Sequence, residues 1–286
     1  MKYYIDTEFL EGTQKEKFPI SLFRKNTPPT IDLISIGIVA EDGREYYAVS
    51  KDFNLEEAWN RYDEKIYKST HKEDEGKTLT QRIYWIRENV LLPLWRELFF
   101  KLNMDFDMFS NKQTEVFYDS VMNGYYDKNF SYRSLKAKIT RYGKTNKEIA
   151  EDVILFCSND DLLIATGKSK KSFVAADYKI PFSKYPEFYA YYADYDWVGF
   201  CWLFGKMMDL PRKFPMYCID LKQMLDEKAV KELDYTCWTT KEQVLDHIKT
   251  RNNYPKQENE HNALADARWN KKLHEFLNST QHEPQK

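Results

Sequence analysis

The sequence holds no surplus of basic charge: 43 lysines and arginines stand against 45 acidic residues, for a net charge of −2. A nucleic-acid partner would therefore have to be held by a local patch, because no global field attracts it. Cysteine is sparse as well. Cys157, Cys201, Cys218 and Cys237 lie far apart and form no C-x-x-C pair. That spacing excludes a zinc ribbon or a disulfide frame and suits reduced, buried thiols. Internal repeats, low-complexity blocks and apolar runs of membrane-spanning length are also missing. Asp6 and Glu8 interrupt the one early apolar run, which argues against a secretory signal there. These absences predict a soluble cytoplasmic protein with no membrane partner. What the chain has in quantity is rings: 21 tyrosines and 18 phenylalanines in 286 residues. One core cannot hide them all, so some face a partner or solvent. The length fits one large domain, or a domain with a substantial insertion.

The order of strands and helices is legible in outline. Lys2 to Phe9 reads as a strand, and a proline-containing loop through Pro28-Pro29 follows it. Ile31 to Ala40, the turn dipeptide Asp42-Gly43, and Arg44 to Ser50 read as a hairpin. Helical spacing predicts helices in "NLEEAWNRY" and in "TLTQRIYWIRENVLLPLW" up to Pro93. "TNKEIAEDVILFC" opens on a capping pattern, Thr145-x-x-Glu148, and predicts another. "DDLLIATGKSKKSFVAADYKIPF" reads as a hairpin with a basic turn at Lys168 to Lys171. "EFYAYYADYDWVGFCWLFGKMMDLP" runs from an aromatic strand into a helix, and "MYCIDLKQML" is a short strand and helix. "HNALADARWNKKLHEFL" is the last helix, before a polar tail from Asn278 that is expected to fray.

Asp6 and Glu8 pose the first chemical question. Residues two apart in a strand share a face, so these carboxylates sit side by side while Thr7 turns away. Two anions so placed raise each other's pKa unless a cation lies between them. Either the strand frays there and both are solvated, or they belong to a metal site with ligands from elsewhere. Candidates exist. Asp196, or its neighbour Asp194, stands at a strand-to-helix junction, and His261 precedes Asp266 by five residues around the start of the last helix. Singly, each of these has an ordinary surface explanation. Their joint order points to a site: strand carboxylates, then a junction aspartate, then a His-plus-Asp pair.

"DTEF", "LISIGIVAEDGREYYAVS", "YADYDWVGFCWLFG" and "HNALADARWN" resemble the motifs of DEDD-type 3′-to-5′ exonucleases of the histidine subclass. Within these, the chain is most similar to the RNase AS-type, polyadenylate-specific exoribonucleases. The resemblance covers about residues 1–95 and 145–277. It implies an α/β fold, an RNase H-like mixed β-sheet flanked by helices, and Asp6, Glu8, Asp196, Asp266 and His261 as the catalytic set. Asp196 is preferred to Asp194 because it is the aspartate of the Tyr-Asp-x-Val pattern. The implied cofactors are two divalent cations, Mg²⁺ or Mn²⁺, held by the four carboxylates. Such ions, about 3.5–4 Å apart, can serve phosphodiester hydrolysis from both sides. Asp6 would bridge them, Glu8 and Asp266 would hold the nucleophile side, and Asp196 the leaving-group side. Histidine suits proton transfer near neutral pH, so His261 is the implied general base. The implied partner is single-stranded RNA with a free 3′ end, adenylate-rich by preference, and dimerisation is suggested by the family alone. Phe9 beside Glu8 could stack the terminal base, or could equally be a core residue. An exodeoxyribonuclease of the same superfamily and a non-catalytic nucleic-acid-binding module remain as alternatives, because nothing in these motifs reads the sugar.

The expected organisation is a single exonuclease domain over residues 1–277, interrupted at about 97–143, with a flexible tail at 278–286. A featureless loop of that length is improbable, so the interruption reads as a helical insertion. "LWRELFFKL" would extend the helix before it, and "YRSLKAKITRY" would form a basic helix. Lys136, Lys138, Arg141 and Lys144, with Tyr132 and Tyr142, could hold the phosphates and bases of a single strand. The alternative is a lid or dimer contact whose lysines are merely solvated.

Overall fold

Period-two alternation in the first fifty residues becomes sheet. A computed structural model describes residues 1–15, 25–68, 78–104, 111–157, 185–233 and 240–279. In chain order the described elements begin with β1 (Lys2–Gly12), β2 (Thr30–Ala40), β3 (Glu45–Val49) and α1 (Leu55–Asn60). Then come β4 (Asp63–Lys68), β5 (Thr78–Ile83), α2 (Leu92–Met104), α3 (Asn111–Met122), α4 (Tyr132–Tyr142) and α5 (Asn146–Cys157). The last are β6 (Glu187–Ala190), α6 (Ala193–Leu203), β7 (Ile219–Asp220), α7 (Leu221–Leu233), α8 (Lys241–Lys249) and α9 (Ala263–Asn278). They form two compact units. One comprises Met1–Phe9, Leu33–Asp52 and Lys144–Lys286; the other comprises Leu10–Asp32 and Phe53–Gly143.

The first unit is built on a five-stranded sheet in the order β3-β2-β1-β6-β7. The expected hairpin forms, with β2 and β3 antiparallel from Ser35 opposite Val49 to Val39 opposite Glu45. β6 runs parallel to β1, Tyr4 opposite Tyr189, and β7 runs parallel to β6. Successive strand residues point to opposite faces, and both faces are apolar. Tyr3, Ile5, Ile36 and Ile38 pack with Ile149 and Val153 of α5 and Trp197 and Phe200 of α6. Tyr4 and Val39 pack on the other face with Leu225, Val244, Ile248 and Leu273 from α7, α8 and α9. This is the mixed α/β architecture expected of an RNase H-like fold. The expected cap on α5 is present: the Thr145 hydroxyl accepts from the Glu148 amide at 3.2 Å, and the Thr145 amide donates to Glu148 Oε2 at 2.7 Å.

One glycine sets where α9 begins. A Cβ on Gly37 would lie 2.2 Å from the Ala263 carbonyl oxygen and 2.4 Å from its carbon. The start of α9 therefore rests directly on β2, backbone to backbone. Gly37→Ala should destabilise the protein by at least the ~1–3 kcal/mol usual for overpacking, since backbone cannot step aside as a side chain does. It should also impair whatever α9 positions. Thermal unfolding checks the first part, and an unchanged midpoint would mean the close approach has no structural weight.

In the second unit two readings change. "TLTQRI" is a strand, β5, paired antiparallel with β4 in a separate two-stranded sheet. Its alternation and β-branched residues suit a strand once a partner is present, and only the residues after Ile83 enter a helix. Nor does Pro93 stop that helix. α2 passes through it, preceded by a wide turn at Arg87–Leu91 in which the Leu92 amide bonds Arg87 O, five residues back. Proline lacks an N–H and its ring crowds the carbonyl four back; a widened turn accommodates both. α4 forms as expected, capped by Ser131 and Ser134. Residues 97–143 fall wholly within this unit, which also takes in 10–32 and 53–96. The hairpin expected around Lys168 to Lys171, Cys237, and the tail from residue 280 lie outside the described residues.

Candidate active site

Asp6 and Glu8 project from the α9-facing side of β1, both half-buried. α9 delivers Asp266 to the same place. One carboxylate oxygen each from Asp6, Glu8 and Asp266 lies within 4.8 Å of the other two. α9 is tied to β1 one turn later, where the Asn270 amide donates to Ile5 O at 2.9 Å, beside Asp6. Asp266 is itself held at both oxygens. Gln257 Nε2 donates to Oδ1 at 2.6 Å and the His261 backbone N–H donates to Oδ2 at 2.8 Å.

Thr7 points the other way and does the same for the third segment. Its backbone N–H and its hydroxyl both donate to Asp196 Oδ1 at 2.7 Å, in the buried first turn of α6. Asp196 is buried whereas Asp194 is exposed. The choice between them is physical: Asp196 shares its helix face with Trp197 and Phe200, Asp194 with solvent. Asp196 stands outside the tight group of three, yet close enough to be the strongest charged influence on Asp6.

The electrostatics of this group are one-sided. Burial, then Asp196, Glu8 and Asp266, push the Asp6 carboxyl well above its ordinary range. Burial, then Asp266 and Asp196, push Glu8 up to about 8. Asp196 rises to about 7, through burial first, although both Thr7 hydrogen bonds favour its anion. Burial also raises Asp266, against the pull of Gln257 and His261. Every charged neighbour that shifts Asp6 and Glu8 is another carboxylate, and none is a cation. A crowded set of hard oxygen donors without a counter-charge fits divalent Mg²⁺ or Mn²⁺.

His261 is half-buried, with its backbone in the left-handed region at φ 66°, and its ring stays outside the three-carboxylate group. Phe9 is half-buried and stacks on Tyr195 of α6, ring centroids 5.4 Å apart. Lys136 and Arg141 are exposed on α4, over the rings of Tyr132 and Tyr142 at 5.9 and 5.2 Å. Lys138 does not fit the expected phosphate-binding role. It is 8% exposed, and its ammonium lies over Phe99 at 4.7 Å and Trp95 at 5.6 Å. Burial pulls its pKa down. It sits between Leu135 and Ile139 on the buried stripe of α4, where a lysine stem packs and its charge is spent on rings. Lys144 is likewise engaged, on the Asp152 carboxylate.

The sequence reading does not single out Thr7, Gln257 or Asn270. For Asn270 a signal existed, since it stands four residues after Asp266 on the same helix face. Thr7→Val should keep the backbone bond to Asp196 but lose the hydroxyl, freeing the carboxylate to rotate. Turnover should fall about tenfold, the worth of one charge-assisted bond at ~1.4 kcal/mol, and Thr7→Ser should restore it. Equal rates for both variants would assign the hydroxyl no positioning role.

No protein-family model matches this chain. Two curated 3′-5′ exoribonucleases of Mycobacterium tuberculosis, from strains CDC 1551 / Oshkosh and ATCC 25618 / H37Rv, are each 50% identical to it over 58 residues. That stretch is 20% of this chain, and the chain spans about a quarter, 26%, of the length of the curated relatives it matches. Among the described residues, no helix is long and apolar enough to cross a membrane.

Proposed function

We propose that this protein is a metal-dependent 3′-to-5′ exoribonuclease that shortens single-stranded RNA from its 3′ end, releasing nucleoside 5′-monophosphates. The observation that carries the reading is the uncompensated carboxylate group drawn from β1 and α9, with Asp196 of α6 behind it. The local similarity to 3′-5′ exoribonucleases supports the same class. When bound, two divalent cations would supply charge neutralisation at the scissile phosphate and lower the pKa of the attacking water.

The chain's own contribution is placement. Asp6, Glu8 and Asp266 would together hold the cations that activate the attacking water, and Asp196 with Asp6 would help hold the charge that stabilises the leaving oxygen. Thr7 fixes which Asp196 oxygen remains available, and Gln257 with the His261 amide, one on each oxygen, fixes the orientation of the Asp266 carboxylate. His261 takes the proton from the attacking water. Phe9 and Tyr195 form a two-ring platform for a terminal base, with the sequence-tolerant stacking that exonucleolytic stepping needs. Lys136 and Arg141, with Arg133, are the exposed basic residues of α4 available to backbone phosphates.

End-labelled RNA and DNA of matched sequence, incubated with Mg²⁺ or Mn²⁺ and with EDTA, test this. A descending ladder on RNA, abolished by EDTA and faster on adenylate runs, is expected. Equal rates on DNA would favour an exodeoxyribonuclease. Binding without cleavage would reduce the protein to a nucleic-acid-binding module.

A further inference from the structure

A recess adjoins the carboxylates within the same compact unit. A cavity of about 720 Å³ opens where the turn after α8 faces Tyr191 and Trp269. Its walls are pinned. The Arg251 guanidinium grips both oxygens of Glu232, and the Trp269 indole N–H donates to Pro255 O at 3.0 Å. Tyr191 meets Trp269 edge-on at 5.0 Å, and Tyr254 meets Phe276 edge-on at 5.3 Å.

Arg251, Gln257 and the Thr250 hydroxyl are engaged, and other polar groups of the lining are not. Among the described residues, the Lys249 and Lys256 ammoniums join no ion pair. Nor do the Tyr191 and Tyr254 hydroxyls or the Asn252 side chain make a hydrogen bond. Glu260 is the one carboxylate among the lining residues. Two ammoniums and several donors that are unpaired among the described residues, with aromatic side chains in one pinned recess, suit a phosphate ester that carries a planar base and hydroxyls. The volume is in the usual range of small-ligand sites, about 300–1,000 Å³. Gln257 lies on the cavity wall and also donates to Asp266, so the recess is a direct neighbour of the candidate site.

We propose that this cavity binds a nucleoside 5′-monophosphate unit, its phosphate on Lys249 and Lys256 and its base at the Tyr191–Trp269 corner. The choice of ligand class rests on the exonuclease reading. The unit could come from two sources, a released monophosphate or one nucleotide of the bound strand, and the chemistry of recognition is the same.

Calorimetric titration of the full chain in EDTA isolates the cavity, because without cations the carboxylate group offers phosphate no ligand. The probes are adenosine 5′-monophosphate, adenosine, and an oligoadenylate blocked by a 3′-phosphate. The wild type should bind the monophosphate about tenfold more tightly than adenosine. A Lys249→Gln/Lys256→Gln variant should lose that margin, and a Lys249→Arg/Lys256→Arg variant should keep it. Both lysines are exposed, so thermal unfolding should be unchanged. A loss confined to the monophosphate assigns a product site, and a loss shared with the oligomer assigns a strand site. Either supports the proposal. A wild type that ignores the monophosphate, or a glutamine variant that binds it equally well, overturns it. If RNA is digested normally while the lysines prove irrelevant, the cavity proposal falls alone. If lysine-dependent binding appears in a protein without nuclease activity, the exonuclease reading falls instead.

Discussion

Glu8→Gln should abolish hydrolysis, and the metal-free variant should unfold at a higher temperature than wild type at pH 8.5 but not at pH 5. The carboxyl of Glu8 ionises near 4.5 in the unfolded chain and at about 8 in the folded one. Between those values the folded protein holds a proton that the unfolded chain has lost. Stability therefore falls as pH rises across that window and levels off above it. Glutamine removes the titration while keeping the shape, so the advantage of the variant should open through the same window. Asp6→Asn should act in the same direction, since Asp6 is displaced upward by the same neighbours. Adding Mg²⁺ should reverse the comparison, because a cation at the carboxylates stabilises the wild type and has lost a ligand in the variant. Activity assays with differential scanning calorimetry, at both pH values and with and without EDTA, check all of this. A variant that unfolds earlier than wild type at pH 8.5 in EDTA would show that Glu8 serves the fold and has no unmet need for a cation. An active Asp196→Asn beside a dead Asp194→Asn would move the third carboxylate to Asp194.

How far the sequence could lead is visible in these same residues. The β1–β3 succession was legible because alternation and the Asp42-Gly43 turn are local signals. The acidic positions were legible because the spacing of Asp6 and Glu8 fixes a shared face whatever their partners. Asp196 against Asp194 was decided by motif, and the helix periodicity of α6 gives the same answer, since only Asp196 falls on the stripe with Ala193, Trp197 and Phe200. Lys138 could have been read the same way from Leu135 and Ile139, but the density of basic residues around it suggested a surface. β5 was not legible as a strand. Its partner, β4, lies across a connection whose pairing no local pattern announces. The second unit was not legible in its full extent for a related reason: 10–32 joins 53–143 only through tertiary contact. Thr7 and Gln257 belong to this class too. Each is an ordinary polar residue until the fold brings a buried carboxylate within hydrogen-bonding distance.

His261→Ala should lower kcat by about 10²–10⁴, the usual cost of a lost general base, with KM nearly unchanged. The structure separates the side chain's role from the backbone's. The His261 amide holds Asp266 Oδ2, and an alanine keeps that amide. Metal and substrate binding should therefore survive while proton transfer fails. The turn is strained: Asn259 at φ 53° and His261 at φ 66° both occupy the left-handed region. Asparagine and histidine tolerate that region better than alanine does, so alanine should also cost a little stability. His261→Gly resolves the ambiguity. Glycine relieves the strain, so its melting temperature should match or exceed that of alanine, yet it restores no base and its kcat should stay as low. Added imidazole should rescue both variants in proportion to its unprotonated fraction. Recovery of rate in the glycine variant alone would trace the defect to the geometry of the turn. A rise in KM at constant kcat would make His261 a phosphate ligand, leaving the carboxylates and their ions to activate water unaided.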